Sequence, residues 1–115
     1  YVMTIQYKNQ GINLTTTGST SVLTCPTDAT ILIKQIQTSN EHSGAVSLEV
    51  QYTDTSATTT FRIFKQSIAA TTTIDVINNT LNLEAGDILK MTADNANKIQ
   101  GVISYALLDR SQENG

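Results

Sequence analysis

From Val46 to Tyr52 the chain alternates Val46, Leu48, Val50 and Tyr52 with Ser47, Glu49 and Gln51. A period of two puts each set on its own face, which predicts a strand with one buried side. Similar alternation recurs at the start, where Met3, Ile5 and Tyr7 are set against Thr4 and Gln6. Lys8-Asn9-Gln10-Gly11 reads as a turn after that first strand. Ile12 and Leu14 form a short second run, which Gly18-Ser19 breaks. Val22 and Thr24 lead to Pro26, which cannot donate to a ladder and so marks a strand end.

Ile31 and Ile33 share one face, but Ile36 falls on the other. That switch predicts a bulge, or a strand passing from one sheet to another. Phe61, Ile63 and Phe64 lie in the next strand, with Arg62 and Lys65 on wetter positions. Ile74 and Val76 precede the turn pair Asn78-Asn79. Leu81 and Leu83 form a short strand, Ala85-Gly86-Asp87 a tight turn, and Leu89, Met91 and Ala93 a second strand with one wet face. Asp94 to Lys98 is a loop by composition, because Asn and Asp bond their own backbone and tolerate left-handed geometry. The final run, Gly101 to Leu108, is apolar on both faces and suits the middle of a sheet. Triple Thr runs at 15–17, 58–60 and 71–73 read as strand approaches. Turn signals at about 8–12-residue spacing predict an all-β, antiparallel, jelly-roll-like β-sandwich of about eight strands. The domain spans 1–108, and 109–115 is a polar C-terminal tail.

Composition sharpens this reading. At 115 residues, 39% apolar and 15% charged, the chain is one domain that needs neither metal nor disulfide to bury a core. Thr is abundant, as half-exposed sheet faces allow. Net charge is −3, and the cations Lys8, Lys34, Arg62, Lys65, Lys90, Lys98 and Arg110 are scattered. Nucleic acid, which selects for clustered Lys and Arg, is an unfavoured partner. No stretch is long and apolar enough to predict a membrane span, and Tyr1-Val2-Met3-Thr4 has no export pattern. The one cysteine, Cys25, excludes an internal disulfide and fits a reducing compartment; with no base beside it, it reads as a packed side chain.

Chemistry finds little purchase. His42, the only histidine, lies in a polar turn without a nucleophile motif, and a zinc site of the usual His and Cys ligands is nearly excluded. Asp54, Asp75, Asp87 and Asp94, with Glu41, Glu49 and Glu84, supply carboxylates whose separations the sequence does not show. Asp87 reads as a turn-former capping its own backbone. Asp94-Asn95-Ala96-Asn97 lacks the Gly and terminal Glu of an EF-hand. No catalytic residue, metal ligand or cofactor is predicted, and an enzyme is the weakest reading.

The order of segments resembles small virion structural proteins of tailed bacteriophages, of the kind found in phages of aquatic bacteria and cyanobacteria. The residues that carry it are Gly11 to Gly18, Val22-Leu23-Thr24-Cys25-Pro26, Ile33 to Asn40, Val46 to Val50, Phe64-Lys65, Leu83 to Leu89, and Gly101 to Tyr105. The resemblance spans residues 11–108. It implies a non-enzymatic virion component assembled in the host cytoplasm, with the major capsid protein or another virion protein as partner, and homo-oligomeric. A head decoration (cement) protein on the outside of the shell is the first reading. A neck, tail or fibre accessory protein is the second. The third is a carbohydrate-binding module using Glu41 to Gly44 and Asp94 to Lys98, though few aromatic rings are available for sugars to stack on. The candidate interaction edge is Val2 to Tyr7 (Val2, Met3, Ile5 and Tyr7), ahead of the resemblance, where Met3, Ile5 and Tyr7 form an apolar stripe and an end strand can add to a neighbour's sheet. The equal alternative is that the stripe completes the chain's own sandwich.

Overall fold

The computed structural model describes residues 4–77 and 79–109. Its centre is a pair of long strands, Ala29–Asn40 (β3) and Ile99–Asp109 (β9), whose apolar residues outnumber what one face can hold. Thr4–Leu14 (β1) lies on the free side of β9. Two three-residue strands, Thr73–Asp75 (β6) and Leu81–Leu83 (β7), pair with different stretches of β3 on its other side. The second sheet runs in the order Thr20–Thr24 (β2), Ile88–Ala93 (β8), Val46–Asp54 (β4) and Thr59–Ile68 (β5). Every pairing is antiparallel, and the two sheets stack as a β-sandwich of nine strands.

Between the sheets lie Leu14, Ile31, Ile33, Ile36, Leu48, Leu83, Leu89, Met91, Ile99 and Ile103, all fully buried. β4 and β8 bury every second residue over most of their length, as their alternation predicts. The phase change in β3 is a bulge: the register against β9 shifts between Ile33 and Gln35, so Ile36 returns to the core face. β9, apolar on both faces, occupies the interior position between β1 and β3. Asn40 ties the layers together at one end. Its side-chain amide donates to the Gly44, Ile68 and Ala69 carbonyls, and its oxygen accepts from the His42 N–H at 2.9 Å.

Several expectations need correction. Lys8 to Gly11 is not a turn: β1 runs unbroken through it, with eleven successive partners on β9. Local turn chemistry there loses to the ladder, and Gly11 has no positive φ. The turn expected at Ala85-Gly86-Asp87 does form between Leu81–Leu83 and Ile88–Ala93, and it joins strands of different sheets. Gly86, at φ +84°, turns the chain so that β7 serves one sheet and β8 the other. Phe61 and Ile63 are 47% and 40% exposed, because β5 is an edge strand and Ile63 is the extra residue of a bulge against β4. Two of the Thr runs do more than approach strands. Thr58 and Thr71 take φ of 51° and 55°, a strained choice for β-branched residues. Asn97, at φ 62°, fits the composition of its loop. Asp109 is the last residue of β9 and not the first of a tail, while residues 110–115, Val2, Met3 and Asn78 lie outside the described residues.

Candidate interaction edge

Directly opposed residues of antiparallel strands share a face. Leu14 and Ile12 oppose Ile99 and Gly101, so they point into the sandwich, where both are buried. By the same alternation Gln10, Lys8 and Gln6 point the same way, yet all three are exposed. The first part of β1 therefore runs out beyond the cover of the second sheet, held along one side by β9. We call it the β1 wing. On its outer face stand Ile5, 56% exposed, and Tyr7, 76% exposed.

Ile5 opposes Leu108, and Tyr7 opposes Ala106, which in turn opposes Leu32 of β3. Over the buried Ala106, Ile5 and Tyr7 with the half-buried Leu32 and Leu108 make an apolar patch beside Lys34, Gln35, Asp75 and Ser104. The Lys34 ammonium sits 5.1 Å from the centre of the Tyr7 ring, a cation–π contact. Further along, Ser104 Oγ donates to Asn9 Oδ1 at 3.2 Å and Gln35 donates to Asp75 at 3.0 Å. Of the stripe expected from sequence, the structure thus places Ile5 and Tyr7 together on one exposed face of a sheet edge.

The fold also gathers carboxylates that are remote in sequence. One oxygen each of Asp54, Glu84 and Asp87 lie within 4.8 Å of one another where the β4–β5 and β7–β8 connections meet. Asp87 is buried, and both its oxygens are engaged. Oδ1 accepts from the Thr55 N–H (3.1 Å), and Oδ2 from the Glu84 N–H (2.9 Å) and the Tyr52 hydroxyl (3.2 Å). Asp87 thus caps its own turn, as expected, and in addition fastens β4 to it. Asp54 Oδ1 accepts from the Ser56 hydroxyl (2.8 Å) and from the Ser56 and Ala57 N–H groups. Those bonds, the Ser56 hydroxyl first, hold its carboxyl below the usual carboxylate range. With these acceptor sites occupied by the protein's own donors, the cluster reads as a knot between loops. Cys25 is part of the same joint: its N–H donates to the Asp87 carbonyl, its carbonyl accepts from the Gly86 N–H, and its Sγ lies buried 3.3 Å from the Ala29 carbonyl.

Burial, and then the charge and hydrogen bond of Asp87, push the Tyr52 hydroxyl up to about 12. A raised folded-state pKa contributes stability that is complete below the unfolded value near 10 and lost as pH climbs toward 12. We therefore expect thermal melts to show an alkaline loss of stability across that window. Tyr52→Phe should flatten it, and an unchanged alkaline limb in Tyr52→Phe would remove Tyr52 as its cause.

Arg62 and Lys65 both lean on Glu49, at 3.2 and 3.9 Å, on the outer face of the second sheet. His42 is half-buried in its loop. No helix among the described residues is long and apolar enough to cross a membrane.

No family model matches the chain, and no curated protein sequence does. Among solved structures, it is similar to two of pentameric capsid proteins isolated from metagenomic phage sequences. Both are 20% identical, with TM-scores of 0.45 and 0.42; they cover 91% and 89% of this chain, which spans 70% and 63% of theirs. It is also similar to the CBM22-1–GH10 modules of Clostridium thermocellum xylanase 10B, at 11% identity and TM-score 0.41, over 81% of this chain and 19% of that one.

Proposed function

We propose that this protein is a non-enzymatic structural component of a tailed-phage virion, and specifically a head decoration protein that docks on the outside of the capsid shell through the β1 wing. The observation that carries the docking surface is the wing itself: a strand exposed on both faces and along one edge, with Ile5 and Tyr7 turned outward. An exposed apolar patch bounded by polar residues is the usual mark of a protein interface. The order of segments over residues 11–108 supports the virion reading, and Met3 continues the alternation of Ile5 and Tyr7 in sequence. The carboxylates that do come together are occupied in holding loops, which favours a scaffold over an enzyme. Lys and Arg remain dispersed, which favours protein over nucleic acid as the partner.

The test is co-sedimentation of the purified protein with expanded, undecorated capsids and, separately, with isolated tails. Saturable binding to capsids at hundreds of copies is expected. Binding only to tails, at about a dozen copies as a tail's low-order symmetry dictates, would move the protein to the neck or tail. Binding to neither would overturn the virion reading.

A further inference from the structure

We infer that β1 pairs with β1 of a second copy of this chain, antiparallel, about a two-fold axis at Gln6. This rests on the reading of β1 as an interaction strand. It assigns the strand's main-chain edge to the second copy and leaves the outer side-chain patch to the shell.

The free edges of the fold are not alike. β6 and β7 have three residues each, and β2 has five with a register shift between Ser21 and Leu23. β5 is longer but bulged at Ile63, and it carries Arg62 and Lys65. Short length, bulges and charges are the devices that stop edges from pairing. β1 has none of the first two: eleven residues in unbroken register, with Lys8 its single charged side chain. Among the described strands it is the edge left open to pairing.

Its sequence is also complementary to itself. With Gln6 on the axis, Ile5 of each copy faces Tyr7 of the other, and both pairs lie on the outer face. Aromatic–β-branched pairs are among the better cross-strand contacts. Lys8 then faces Thr4, so the two Lys8 residues are offset by four positions, roughly 13 Å at ~3.3 Å per residue, which exceeds the screening length of about 8 Å. The equivalent pairing of β5, Phe61 against Ile63, sets Arg62 against Arg62 and is repelled. The β1 pair joins two five-stranded sheets into one and brings two Ile5–Tyr7 patches together, which doubles the apolar area offered to a symmetric shell.

The test needs no capsid. Light scattering on the full chain after size exclusion should give twice the 12.4 kDa chain mass, and Ile5→Lys, at an exposed position, should return it to the monomer with an unchanged circular dichroism spectrum. Gln6→Cys should form a disulfide-linked dimer on oxidation, because opposed Cα atoms about 4.5–5.5 Å apart permit the bond. Asn13→Cys, exposed on β1 but fourteen positions out of register with its own copy, roughly 46 Å at ~3.3 Å per residue, should not. A monomer at every concentration, a trimeric or pentameric mass, or equal cross-linking of the two cysteine variants would overturn the pairing. A monomer that still saturates capsids overturns this inference alone; a dimer that binds neither capsids nor tails overturns the virion reading alone.

Discussion

Gly101→Ala is expected to destabilise the domain by about 3 kcal/mol, the upper part of the range for overpacking a close-fitted interior. Gly101 sits on β9 opposite Thr38 of β3 and Ile12 of β1, at the centre of the first sheet. A Cβ placed there would lie 2.1 Å from the Gln37 carbonyl oxygen and 3.0 Å from the Thr38 Cα. Both are backbone atoms of the neighbouring strand, so no side chain can swing aside. Either β3 and β9 separate locally or the ladder between them breaks. Gly11→Ala provides the control, because a Cβ at Gly11 meets nothing within 4 Å; there the loss of unfolded-state freedom should leave stability level or up to about 1 kcal/mol higher. Urea unfolding of the two variants decides it. Equal midpoints would mean that β3 and β9 are not packed as closely as the structure has them.

Asp87→Ala is expected to cost about 2–4 kcal/mol, since it strands the Thr55 and Glu84 N–H groups and the Tyr52 hydroxyl without their acceptor. The damage should be shared between two loops that are distant in sequence. Hydrogen exchange is then expected to quicken at Thr55 and Glu84 together. Because Tyr52 and Asp87 act on one bond, Tyr52→Phe should add little in the Asp87→Ala background, whereas independent sites would add in full. Full additivity, or a loss below about 1 kcal/mol, would reduce Asp87 to a local turn-former.

Much of this architecture is legible in the sequence. The passage from Ile31 and Ile33 to Ile36 marks the β3 bulge, because a strand that keeps its core face through a phase change must gain a residue. The double-faced apolar run of β9 marks an interior strand, and the Asn-rich loop holds a left-handed residue at Asn97. What the sequence hides depends on distant partners. Lys8 to Gly11 carries turn chemistry, and only eleven bonding partners on β9 make it extended. Phe61 and Ile63 are apolar, and the edge position of β5 with its bulge at Ile63 leaves them wet. Asp54 and Asp87 are remote in sequence, so their meeting follows from the pairing of β4 with β8, which ends at Thr53 opposite Ile88 and puts the next residues side by side. Half of the candidate edge is likewise readable: the Ile5 and Tyr7 stripe is local, but its outward aspect follows from the register with β9, which turns Gln6, Lys8 and Gln10 to the inner side.

Docking through the β1 wing, as proposed, is tested most directly by one binding isotherm on undecorated capsids. The wild-type chain is compared with a chain lacking residues 1–7. The deletion takes only exposed or half-exposed residues from the described part of β1 and leaves Ile12 and Leu14 in the core, so an unchanged fold by circular dichroism is expected alongside lost capsid binding. Saturation of the shell by the truncated, folded chain at wild-type affinity would contradict the account and place the docking surface elsewhere on the sandwich.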